Sequence, residues 1–404
     1  MRLTSVLDIK SKSVIPILLV FFVSVQALLS LFIDFRTSPY AIDFTGYAEL
    51  IGAVMEGTAS ESQLYFFYSY LPYLGVAYCL TLVGISTFLS LQLTSLLYGA
   101  LSLIVFTSFV RRIICSEKSG SEKRSRLAFV ICLLYAIFPS RNFWISSGLR
   151  ESTVEFSILF LCYLVFFKHR APNSMGANIK LVMSYSLAMW IGMGSRYSFI
   201  TLFCLGIGFF ALFRLKSIVF VFLFAFSFII AISSSTHIPS FLVKPDTISV
   251  EQTYERISDT VRALPMHNSI SEVRGSGARS DFTLLSCQQS GESYSSPNVH
   301  ACKLVNSGLK IFDSWFRPLI FLDWSHEFNI FASLENLIWT YLILKVAIAT
   351  KFHSAFHSEL RLIQIQIFLF LVVIAQYEGN YGTSFRHKMS LLPLLLIVVF
   401  SSRK

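Results

Sequence analysis

Apolar runs recur along almost the whole chain, from residue 15 to residue 400. Each comes near the roughly 20 residues that a helix needs to cross about 30 Å of hydrocarbon. That repetition predicts an all-α polytopic membrane protein, with residues 1-404 forming a single membrane domain. The composition agrees, since 54% of the 404 residues are hydrophobic, 14% are charged and 40 are phenylalanine. These values lie outside the range of soluble domains.

The first run, "VIPILLVFFVSVQALLSLF", follows Lys10 and Lys12. It is too long for a cleavable signal and no small-residue cleavage site follows, so it reads as a first helix with its N-terminus in the cytoplasm. The net charge of +10 is explained by lysine and arginine collecting in cytoplasmic loops, and nucleic acid is not an expected partner.

Charge also resolves the ambiguous stretch between residues 63 and 110. Two crossings there would leave the six cations of "RRIICSEKSGSEKRSR" outside, which is the costly orientation. The run interrupted by Pro72 and carrying Tyr65, Tyr68, Tyr70, Tyr73 and Tyr78 is therefore expected to lie along the outer surface, or to dip in and return. It belongs to a first external loop, residues 34-85. Spans are then expected near 15-33, 86-110, 126-140, 152-168, 179-195, 197-214, 216-234, 328-348, 361-377 and 389-400. The count is about ten transmembrane helices, with both termini cytoplasmic. The short basic loops, such as Arg214 with Lys216 and Arg403 with Lys404, all fall inside.

Residues 235-327 form one large external, periplasmic loop. Its serine- and glycine-rich middle contains "GSG", but with no strand before it and no helical pattern after it the motif carries no dinucleotide reading. Cys287 and Cys302 lie in this loop, where a disulfide between them is an open possibility; the other cysteines sit in or beside apolar runs as packing residues. No CxxC spacing marks a metal site, and the metal-ligand set is expected to be none.

The charges that the cytoplasmic rule leaves over gather at the external ends of the expected helices. They are Asp43, Glu49, Arg141, Arg150, Glu151, Arg196, Arg317, Asp323, Glu335, Glu378, Arg386 and His387, with Asn380 among them. Ionisable groups at membrane depth face a bundle interior or a wet cavity, and the arginine fork suits phosphate and carboxylate. Arginines with carboxylates at one level point to a cavity for an anionic, phosphorylated ligand. Each residue alone has a plainer reading: Arg141 as an interfacial anchor beside Trp144, Arg150 and Glu151 as local caps, Glu335 as a bond to a neighbouring helix.

The stretches "AIDFTGYAEL" and "YLPYLGVAYCLTLVGIS", followed by a span ending in "RR", resemble the opening of the GT-C superfamily of integral membrane glycosyltransferases. "FPSRNFWISSGLRE", "FRPLIFLDWSHEFNIFASLENLIW" and "EGNYGTSFRHKMSLLP" look like bacterial envelope proteins classed as Wzy-type repeat-unit polymerases or as glycosyltransferases of polysaccharide clusters. The resemblance implies a GT-C-like bundle in the bacterial inner membrane that polymerises or transfers sugar units in O-antigen or exopolysaccharide synthesis. The donor would be a polyprenyl-phosphate- or pyrophosphate-linked sugar and the acceptor a growing glycan, in company with other polysaccharide-assembly proteins. It also implies Asp43 and Glu335 as the catalytic carboxylates, with Tyr47, Arg141, Arg150, Glu151, Arg196, Arg317, Asn380, Arg386 and His387 binding substrate. No cofactor is implied; Phe44 rather than a second acid follows Asp43, and divalent-metal use stays open. The alternative is a transporter or flippase of lipid-linked oligosaccharide, against which no internal repeat between halves is found.

Overall fold

In the computed structural model of the chain, residues 13–33, 41–115, 122–168, 175–210, 221–232, 327–349, 357–377 and 386–402 are described, with a few helical positions between 305 and 316. The described residues are helical, with no strand among them. In chain order the helices are α1 (Val14–Phe32), α2 (Ala41–Glu56), α3 (Glu61–Ser69), α4 (Leu71–Leu82), α5 (Thr87–Cys115), α6 (Glu122–Ile137) and α7 (Pro139–Ser146). There follow α8 (Glu151–Lys168), α9 (Met175–Phe210), α10 (Val221–Ile232), α11 (Glu327–Ile348), α12 (His357–Tyr377) and α13 (Leu392–Ser401).

Among the described residues three helical segments, Val14–Phe32, Thr87–Ile113 and His357–Ala375, are long and apolar enough to cross a membrane. The pair α6 and α7, bent by 40°, makes a fourth if counted as one span. The other expected spans are shorter, interrupted or charged. Helix α8 carries Glu151, Glu155 and Lys168; α13 has 10 residues, about 15 Å of helix. Large apolar side chains such as Leu31, Phe32, Phe222 and Ile348 are exposed on the outside of the bundle, a surface compatible with lipid.

Helix α8 lies at the centre, packed along α5 and α9. Helix α9 is not one rod. Its backbone leaves helical geometry at Arg196 (φ −150°, ψ 78°), at the junction between the two expected spans 179-195 and 197-214. A methyl group built on Gly192 would stand 2.7 Å from the Ile200 side chain, whereas eight residues along an unbroken helix would separate the two backbones by about 12 Å. The chain therefore folds back at Arg196, and only a glycine lets the two arms close this tightly.

The stretch around Pro72 is drawn into the bundle. Pro72 stands in the first turn of α4, where its missing N–H costs nothing. Tyr73, Leu74 and Ala77 are fully buried, and Tyr98 Oη donates to the Pro72 carbonyl at 2.7 Å. Of the two expectations for this segment, a film on the outer surface or a dip into the bundle, the packing favours the second.

A larger departure concerns "FPSRNFWISS". The polar residues here read as the exposed end of a span closing at residue 140, yet the chain turns at Phe138 and continues as α7, whose residues Arg141, Asn142, Trp144 and Ile145 are buried. Its polar groups are met by partners distant in sequence. Gln26 of α1 donates to Asn142 Oδ1 and accepts from Ser146 Oγ. Gln92 donates to the Ser146 carbonyl and Ser95 to that of Leu149.

Candidate functional site

The turn between α7 and α8 sets the site. Gly148 adopts φ +66°, a conformation that side chains rarely tolerate, and a methyl group there would also collide with the Phe44 ring. Tyr73 Oη donates to the Gly148 carbonyl. Together with the bonds from Gln92 and Ser95, three carbonyls of this turn are gripped by side chains of α4 and α5. Arg150 and Glu151 emerge from this fixed turn, with Glu151 in the first turn of α8, where the helix dipole favours a carboxylate.

Three basic side chains from two separate parts of the chain meet at Glu151. Arg196 Nη2 donates to its Oε1 at 3.1 Å, Arg386 Nε stands 3.2 Å from the same oxygen, and His387 Nε2 lies 3.6 Å away. Glu151 Oε2 is buried with no hydrogen-bond partner among the described residues. The tip of the α9 hairpin is tied to α8 through a hydrogen bond between Thr153 Oγ1 and Ser195 Oγ, which brings Arg196 into range. Arg386 also lies 5.8 Å over the Trp144 ring. The cluster reaches the outside of the fold: Arg196 is 22% exposed and Arg386 13%.

Arg150 points to the other side of the α8 N-terminus, into an aromatic wall. Its guanidinium stands 4.3 Å over Tyr70 and 5.8 Å over Tyr47. Tyr47 in turn stacks on Phe66 and meets Tyr73 edge-on. Nε and Nη1 of Arg150 are shielded from solvent without a hydrogen-bond partner among the described residues. With Arg150, Arg196 and Arg386 set against Glu151 alone, the described residues here leave an excess of positive charge around the start of one helix. Such an excess suits an anion with several oxygens.

The other expected site residues are placed differently. Arg141 neither anchors at an interface nor joins this cluster. It is fully buried, with Nε bonded to both oxygens of Glu155 at 2.9 and 3.2 Å and Nη2 to the Gly99 carbonyl at 2.8 Å, its guanidinium 4.1 Å over Tyr135. Tyr135 Oη completes the arrangement by donating to Glu155 Oε1 at 2.8 Å. Glu335 is buried and engages both oxygens: Oε2 accepts from the Ser140 amide at 2.8 Å, and Oε1 from Ser140 Oγ and from Trp339 Nε1. It thus caps the start of α7, as the plainer expectation of a bond to a neighbouring helix had it. Asp43 lies in the first turn of α2, one turn before Tyr47, and its side chain is outside the described residues. Arg317, Asp323, Glu378, Asn380, Cys287 and Cys302 also lie outside the described residues.

Two further ionisable residues border this site, and Glu155 was not singled out from the sequence. Glu155 sits one turn after Glu151 on α8, and both line a small cavity with Trp144, Ile145, Ser152, Met389 and Ser390. Its signal is an acid at i+4 from another acid within an apolar helix. Lys388 is buried completely, next in sequence to His387. Among the described residues no group of three His, Cys, Asp or Glu stands together to hold a metal ion.

No protein-family model, no curated protein and no solved structure matches this chain.

Proposed function

We propose that this protein transfers or polymerises sugar units from a polyprenyl-phosphate- or pyrophosphate-linked donor at the outer face of a bacterial inner membrane. The observation that carries the proposal is the gathering of Arg196, Arg386 and His387 on the single carboxylate of Glu151, inside an apolar bundle and yet open to its surface. In this reading the bundle has about ten spans, both termini are cytoplasmic and the long loop of residues 235-327 is periplasmic. The apolar helices and the distribution of lysine and arginine support that orientation.

Arg196 and Arg386 would take the donor phosphate oxygens through charge-assisted hydrogen bonds, with Arg150 on the far side of the helix start. The acceptor hydroxyl attacks the anomeric carbon, the bond from that carbon to the phosphate oxygen breaks, and the hydroxyl proton passes to a carboxylate. Guanidinium groups held in place before the reaction stabilise the charge that builds on the departing phosphate. Asp43, on the helix that also presents Tyr47, is the proposed base. Glu151 keeps the cations aimed at one point while no phosphate is bound.

Arg386→Ala should abolish product while the protein still accumulates in the membrane. The measurement is glycan length and the pool of lipid-linked units in a deletion strain carrying the variant, and normal glycan would refute the role. The break at Arg196 and the bend between α6 and α7 favour a second reading, since interrupted helices that bind anions near their ends are also found in transporters. A flippase would leave lipid-linked units on the cytoplasmic side when deleted; a polymerase or transferase would leave them outside.

A further inference from the structure

We infer that Lys388 is a positioning residue: its buried amino group fastens the segment of residues 386–388 to α11, so that Arg386 and His387 face Glu151. The backbone is helical through Lys388, which stands just before a 3-10 turn, Met389–Leu391. Successive side chains on such a backbone leave it about 100° apart, so residue 388 cannot share the direction of 386 and 387. Arg386 and His387 go to α8, while Lys388 goes the other way. Its Nζ donates to Asn336 Oδ1 at 3.1 Å and stands 6.0 Å over the Trp339 ring. Asn336 in turn donates from Nδ2 to the Phe316 carbonyl. Glu335, next to Asn336 on α11, is within electrostatic reach of this amino group and holds the start of α7, the helix whose Trp144 lies under Arg386.

Packing alone does not account for a lysine here. An amino group withdrawn from water is costly unless it is well paired, and an apolar side chain of similar length would fill the space without that cost. What a methionine could not do is choose a direction for the segment. Two polar anchors on opposite sides, Glu151 for Arg386 and Asn336 for Lys388, leave one rotational setting that satisfies both. The functional weight of this clamp rests on the phosphate-site reading given above; its geometry does not.

The test uses the full-length protein purified in detergent, with diethyl pyrocarbonate labelling of histidines read by mass spectrometry. His357 is exposed and serves as the internal reference for the buried His387. The wild type should label His387 at least about tenfold more slowly than His357, and Lys388→Met should close that gap to within about threefold, the signature of a local opening. Asn336→Leu, which keeps the lysine and removes its acceptor, should move His387 in the same direction and serves if Lys388→Met does not fold. A His387 that stays as protected in the folded variant as in the wild type overturns the inference. Binding of inorganic pyrophosphate separates the clamp from the reading beneath it. Lys388→Met should weaken it about tenfold, and no further effect should appear in an Arg386→Ala background. If His387 opens as described while pyrophosphate does not bind even the wild type, the clamp stands and the phosphate reading falls.

Discussion

Glu151 and Glu155 sit one turn apart on the same helix, border the same small cavity and both face arginine. Their surroundings are nonetheless opposite. Glu155 has one guanidinium, Arg141, which is fully buried, and a tyrosine that completes its coordination. Glu151 has Arg196, Arg386 and His387 competing for one oxygen, while its other oxygen is left without a hydrogen bond among the described residues. The first arrangement is balanced and closed, as expected for a device that fixes α7 against α8. The second is unbalanced and open, as expected where a further anion completes it. Burial of an ion pair therefore does not distinguish structure from function; the ratio of charges and the access to them do.

The comparison can be broken most forcefully at Arg141. Arg141→Met leaves Glu155 charged in an apolar interior and should destabilise the fold by about 3–5 kcal/mol, whereas the double replacement Arg141→Met with Glu155→Leu should recover most of that loss. Thermal unfolding in detergent checks this, and an equally unstable double variant would mean the pair does more than balance itself. A smaller effect, of opposite sign for binding, is expected at Glu151. Glu151→Gln removes the internal competitor for the arginines and should tighten inorganic pyrophosphate about threefold to tenfold while lowering transfer. Weaker binding would show that the carboxylate mainly holds the arginines in place. The smallest effect is the stability of Arg386→Ala, expected within about 1–2 kcal/mol of the wild type because Glu151 keeps Arg196 as its partner. A loss as large as that of Arg141→Met would erase the distinction between the two sites.

Helices were legible in the sequence wherever an apolar run had ordinary length, and the reversal of α9 was legible because Arg196 separates two such runs. The meeting of Arg196, Arg386 and His387 with Glu151 followed from the same logic, since charges left over in an apolar chain have few places to go. The exact partner of each did not follow. Arg141 read as an interfacial anchor because it stands beside Trp144, and the groups that make α7 a buried helix, Gln26, Gln92, Ser95 and Glu335, lie 40 or more residues away from it. Glu155 hid inside a hydrophobic run, and nothing local sets the direction of Lys388 apart from that of Arg386 and His387 beside it. A partner supplied by distant chain leaves no local pattern to read.

The contact of Ile200 on Gly192 has one more consequence. The two arms of α9 are zipped together within two turns of their tip, so Arg196 is carried on a stiff prong and not on a slack loop. Any movement that brings its guanidinium toward a ligand must carry both arms as one body. An alanine at position 192 would press on Ser157 of α8 as well as on Ile200, and so withdraw Arg196 from Glu151, silencing the cluster from a residue that never touches it.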